Sequence, residues 1–82
     1  MSEEQAVVLS IRLTEDDTTT AAVAALDLRG DHFEATGRAR RNPIDPPRPL
    51  IGEELAIARA LSKLESKIMD AAQDKIDRYL VH

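Results

Sequence analysis

Arg38, Arg40, Arg41 and Arg48 form the chain's one basic cluster. Guanidinium forks pair with phosphate oxygens, and a few such contacts give salt-sensitive anion or nucleic-acid binding. The plainer role is structural, with Arg40 pairing Asp45 or a helix-end carboxylate to fix the loop that follows, and the other arginines solvated. No aromatic residue is interleaved with them, so base stacking along a single strand is not expected.

Other chemistry is sparse. Arg59 stands among alanines, where a salt bridge to Glu53, Glu54 or Asp45 is the expected role and a ligand contact the lesser one. Asn42-Pro43 and Asp45-Pro46 read as turn chemistry, with Asn42 and Asp45 bonding nearby amides. His32 follows a turn and His82 ends the chain, so neither has a partner visible in the sequence. There is no nucleophile elbow, phosphate-cradling glycine loop or histidine pair at metal-ligand spacing. The fifteen carboxylates are scattered. No enzymatic activity, cofactor, metal or small-molecule substrate is expected.

The elements that must carry these residues are few. Eighty-two residues make one domain, and a domain this small buries only about 60% of the surface its unfolded chain exposes. One Phe, one Tyr and no Trp leave Leu, Ile, Val and many Ala to build the core. Small side chains favour close backbone packing or a core shared with a second subunit. The chain has no cysteine, and no apolar run is long enough to span a bilayer. With nothing resembling a signal peptide, a cytoplasmic protein is expected. The net charge of -4 argues against the wide positive field that drives tight non-specific nucleic-acid binding.

Residues 1–5 are polar and expected to fray. From Ala6 to Thr14, Val7, Leu9, Ile11 and Leu13 alternate with Val8, Ser10 and Arg12, which predicts a half-buried strand. Glu15-Asp16-Asp17 reads as a turn. Thr18 to Leu28 reads as a second strand with Ala22, Ala24, Leu26 and Leu28 on one face, the rival being a helix over Ala21–Leu28. Arg29-Gly30-Asp31 predicts a hairpin turn, and His32 to Arg40 a third strand with Phe33, Ala35, Gly37 and Ala39 inward. Their diminishing size lets a neighbour come very close near Gly37.

Residues 42–50 hold all four prolines and predict a stiff crossover. Gly52 is then the expected helix cap, with Glu53 and Glu54 in the first turn, where the helix dipole favours negative charge. Ile57, Ala60, Leu61, Leu64, Ile68, Ala71 and Ala72 form an apolar stripe at helical spacing. Lys75 interrupts it, while Leu55, Ala58, Met69, Ile76 and Leu80 make a second, narrower stripe. Either one helix has two apolar faces, or it breaks near Asp70–Asp74. Both the second stripe and the apolar residues on the far sheet face, Val8, Val23 and Ala25, point to a homodimer.

The run Gly37, Ala39, Arg40, Asn42, Pro43, Asp45 and then Ile51 through Leu61 with Leu64 resembles the signature of a family of small actinobacterial proteins of unknown function with a double-stranded-RNA-binding-domain-like (dsRBD-like) fold. Members typically read G-x-G-x-A-R-x-N-P-x-D and then I-G-[DE]-E-L-[AS]-x-A-R-A-L-x-x-L. Ala35 replaces the first glycine here, and Arg38 and Arg41 occupy positions often apolar in relatives. The resemblance implies three strands followed by one or two helices, often as an intertwined dimer. It marks Gly37, Asn42, Pro43, Asp45, Gly52, Glu54 and Arg59 as structural signature residues. Some relatives are associated with dormancy and are likened in shape to ribosome hibernation-promoting factors.

Two functions follow as expectations for an α+β domain of this order. One is a non-enzymatic stress or dormancy accessory protein binding ribosomal or double-stranded RNA through Arg38, Arg40, Arg41 and Arg48. The other is a homodimeric protein–protein interaction module that binds no nucleic acid.

Overall fold

The computed structural model describes residues 2–42, 44, 46 and 48–80. Three antiparallel strands, β1 (Leu9–Glu15), β2 (Thr19–Leu28) and β3 (Asp31–Arg40), make one sheet in the order β1-β2-β3. One helix, α1 (Pro49–Leu80), packs on β3 and β2. The α+β class and the strand, strand, strand, helix order match the pattern of the sequence. Residues 2–8 have no regular structure, so β1 starts later than the alternation from Ala6 suggests.

Local chemistry fixes both turns. Asp16 Oδ1 accepts from the Thr18 and Thr19 amides at 2.9 and 2.7 Å, and the Asp16 amide donates to the Thr19 carbonyl. Arg29 and Gly30 both have left-handed φ, 48° and 91°, the signature of a two-residue I′ hairpin whose twist suits the flanking strands. Asp31 therefore belongs to β3, opposite Leu28, rather than to the turn. The alanine-rich β2 is a strand despite its helix-friendly composition because it is hydrogen-bonded on both sides, which overrides a weak local preference.

The register places the expected inward residues in rows. Leu13, Ala22 and Gly37 lie side by side, as do Ile11, Ala24 and Ala35, and Leu9, Leu26 and Phe33. The helix lies over the small members of these rows. The buried core is Ala22, Ala24, Ala35, Ala39, Ala56, Ala60 and Leu64, with Leu26, Phe33, Ile57, Leu61 and Ile68 packed around it. Gly37 makes this possible: a Cβ there would run into the Ala56 carbonyl oxygen and the Ala60 nitrogen, and lie 2.9 Å from the Arg59 carbonyl carbon.

Two expectations about the helix change, and one open alternative is decided. It starts at Pro49, not at Gly52, because proline's fixed φ suits the first helical position and its missing donor has no partner there anyway. The Arg48 carbonyl accepts from the Ile51 and Gly52 amides, so Gly52 sits inside the first turn. Its smallness serves approach instead, since a Cβ would lie 3.0 Å from Thr20 Oγ1. Glu53 and Glu54 consequently fall beyond the first turn. Finally, the helix does not break near Asp70–Asp74. No glycine or proline interrupts it there, Gln73 donates to Asp77 one turn on, and Lys75 leaves the apolar stripe to pair with Asp31 at 3.0 Å.

The other sheet face carries a polar ladder rather than a second layer. His32 Nδ1 lies 2.7 Å from Asp27, its Nε2 3.5 Å from Glu34, and Arg12 reaches Glu34 at 3.9 Å. The Asp27 hydrogen bond, followed by its charge and then Glu34, raises the His32 pKa above its usual range. His32 thus has partners that sequence spacing did not reveal.

Replacing Gly37 with Ala is expected to push helix and sheet apart. Overpacking of this kind costs about 1–3 kcal/mol or more, a fall in Tm on the order of 10 °C for so small a domain. Thermal unfolding followed by circular dichroism measures it; an unchanged Tm would mean that the close approach is dispensable.

Candidate functional site

Strand pairing decides where the arginines go. The end of β3 continues past Arg40 beside the β1–β2 turn, where the Arg41 amide donates to the Thr18 carbonyl. The start of α1 returns over the same corner. Between them lies a cleft of ≈ 470 Å³, lined among others by Arg40, Arg41, Arg48, Glu15, Asp16 and Asp17. Arg38 is not part of it: it is exposed, on the strand face turned away from the helix.

The cleft is not a basic patch. Among the described residues its three arginines face an equal number of carboxylates. Arg41 donates to the Asp17 carbonyl at 2.8 Å and to the Asn42 carbonyl at 3.4 Å, so it braces the corner. Asp16 is held below its usual carboxylate range, first by the Thr18 and Thr19 amides and more weakly by the Arg40 charge. Glu15 moves the other way. A hydrogen bond to Glu53, with a smaller contribution from desolvation and from the like charge, raises the Glu15 pKa above the ordinary glutamate value.

The signature residues have structural tasks where they can be seen. Asn42 Oδ1 accepts from the Ile44 amide at 3.2 Å, the turn expected of Asn-Pro. Pro43 and Asp45 lie outside the described residues, and so do the pairings assigned to Asp45, as does His82. Glu54 is exposed. Arg59 forms no salt bridge to Glu53 or Glu54; its Nη1 instead donates to the Arg38 carbonyl at 2.7 Å. Lys67 does the same to the Glu34 carbonyl at 2.5 Å. The sequence held no signal for these two bonds, because each acceptor is a backbone oxygen far away along the chain.

Among the described residues, no group of His, Asp or Glu is arranged to hold a metal ion, and no helix is long and apolar enough to cross a membrane. The larger apolar side chains stay outside the core. Leu9, Ile11 and Leu13 of β1 face the helix side of the sheet yet remain 43%, 38% and 43% exposed, because the helix does not extend over them. On the outer helix surface Leu55, Met69, Ile76 and Leu80 are also exposed.

The model of the Rv2632c-like family matches residues 5–82, and the chain belongs to that family. It is 38% identical over 69 residues to the uncharacterized protein Rv2632c of Mycobacterium tuberculosis, covering 84% of this chain and 74% of the relative. It is 36% identical over 69 residues to the uncharacterized protein Mb1767 of Mycobacterium bovis, covering 84% of this chain and 73% of that one. The crystal structure of Rv2632c superposes with a TM-score of 0.89 at 33% identity, over 95% of this chain and 93% of the other. The actinobacterial family expected from the residues 37–64 signature is therefore the right one, and the two relatives named above are uncharacterized.

Glu15, through its hydrogen bond to Glu53, sets a pH dependence. Its folded-state pKa exceeds the ordinary 4.5, so its stabilising contribution is complete below 4.5 and is lost as pH rises through the folded value. Glu15→Gln, which donates to Glu53 without needing the proton, is expected to raise Tm at pH 7 and to lose that advantage near pH 4. A Tm difference independent of pH would show that the two carboxyls do not interact.

Proposed function

We propose that this member of the Rv2632c-like family is a non-enzymatic homodimeric protein–protein interaction module. The observation that carries this reading is the division of its apolar residues. The buried core is six alanines and one leucine, while Leu9, Ile11, Leu13, Leu55, Met69, Ile76 and Leu80 are left at the surface. Rows of exposed apolar side chains, one along β1 and one on the outer helix surface, mark interfaces on so small a domain. An 82-residue chain with an alanine core gains much by burying that surface against another molecule.

The arginine cluster gives weaker support to RNA binding. Of Arg38, Arg40, Arg41 and Arg48, three share a cleft with Glu15, Asp16 and Asp17, and Arg41 is spent on backbone carbonyls. Phosphate binding draws on uncompensated positive charge, which this corner lacks. The dormancy and hibernation-factor likeness rests on analogy of shape, and shape alone does not transfer activity.

Sedimentation at micromolar concentration is expected to give a mass twice the 9.1 kDa of one chain. A monomer at every concentration would remove the module reading. Ribosomes and double-stranded RNA at near-physiological salt are expected to remain unbound. Salt-sensitive binding that disappears in a folded Arg38, Arg40, Arg41 to Ala variant would reinstate the RNA reading.

A further inference from the structure

The two edges of the sheet are treated differently. Along β3, the outward carbonyls of Glu34 and Arg38 accept hydrogen bonds from Lys67 and Arg59, long cations that reach down from the helix over that edge. An edge whose acceptors are occupied by charged side chains resists pairing with another strand. Among the described residues, nothing comparable closes β1.

The same two bonds fix which backbone groups of β1 are open. Because Glu34 and Arg38 point outward, the odd-numbered residues of β3 are those bonded to β2, and through the register Thr20, Ala22, Ala24 and Leu26 point to β3. The odd-numbered residues of β2 therefore bond β1, opposite Ser10, Arg12 and Thr14. The Asp16–Thr19 bond continues this phase. Leu9, Ile11 and Leu13 are left with backbone N–H and C=O directed away from the sheet, and they are also the residues whose apolar side chains the helix leaves exposed.

We propose that the occupant of this edge is a second copy of the same strand, running antiparallel about a two-fold axis at Ile11. This rests on the homodimer reading and names its geometry. The segment Leu9-Ser10-Ile11-Arg12-Leu13 is symmetric in apolar pattern about Ile11. Ile11 meets its own copy, and Leu9 meets Leu13 of the second copy. Each of these is a pair with outward backbone groups, which exchanges both hydrogen bonds. The same register sets Arg12 against Ser10 of the second copy, whereas a centre at Arg12 would oppose two like charges. The two sheets become one continuous sheet with both helices on the same face.

Packing fits that arrangement. Arg59 and Lys67 leave the helix towards β3, so Ile57, Leu61 and Ile68 lie on its other flank, towards β1. The paired Leu9, Ile11 and Leu13 rows then form an apolar floor between two such flanks. An isologous contact of this kind closes on itself and leaves no open β1 edge for further copies.

Amide hydrogen exchange on the wild-type protein, with the association state measured in the same buffer, tests the proposal. The Leu9, Ile11 and Leu13 amides are expected to exchange on the order of a hundredfold more slowly than the outward amides of Glu34 and Thr36, whose edge has only its carbonyls capped. An Ile11→Cys variant, carrying the chain's one thiol, is expected to oxidise to a covalent dimer with native circular dichroism, and Ser10→Cys is not. A dimer with unprotected β1 amides and no Ile11→Cys crosslink would overturn the edge pairing while leaving the homodimer reading intact. A monomer would overturn both. Protection appearing only when a different protein is added would assign the edge to that partner instead.

Discussion

The approach of the helix backbone to the sheet at Gly37 is the constraint on which the remaining structure depends. Where a Cβ would meet the Ala56 and Ala60 backbone, only glycine fits, and the neighbouring layer must be alanine on both sides. Close packing of small groups brings many atoms into dispersion contact, but it removes little apolar area per residue from water. The chain's larger apolar side chains are displaced to the margins of this contact. Phe33, Leu26, Ile57 and Ile68 ring it, while the β1 leucines and isoleucine fall outside it altogether.

The same closeness determines the sheet edges. A helix lying low over β3 brings Arg59 and Lys67 within reach of the Arg38 and Glu34 carbonyls. It does not cover Leu9, Ile11 and Leu13, and meets β1 at that strand's end, where Glu53 bonds Glu15. One edge is thus closed by charge and the other left open with apolar side chains beside it. This asymmetry protects the β3 edge from strand addition and leaves the β1 edge open to it.

Much of this was legible in residue order. Alternation in β3, and the fall in size from Phe33 to Gly37, gave that strand's inward face correctly because a half-buried strand must alternate; β1 alternates too, but it is exposed along its whole length rather than half-buried. The family signature around Asn42 and residues 51–64 was likewise readable. Helix continuity was not, because Lys75 breaks the apolar stripe and only the position of Asp31 explains it. The bond that Arg59 makes to Arg38 was hidden for a similar reason. A salt bridge is suggested by nearby acidic residues, but its acceptor is a backbone carbonyl brought close by the fold. The cleft was invisible too, since strand pairing brings Glu15–Asp17 to Arg40 and Arg41, the helix start adds Arg48, and the charge that the cluster shows in sequence is cancelled.

If the alanine core is completed by a second copy, folding and association are one equilibrium, and stability must depend on protein concentration. Urea unfolding across about a hundredfold range of concentration tests this most directly. The midpoint is expected to rise steadily with concentration. A midpoint that stays constant across the whole range, with full native circular dichroism at the lowest concentration, would contradict the account and show that one chain is stable by itself.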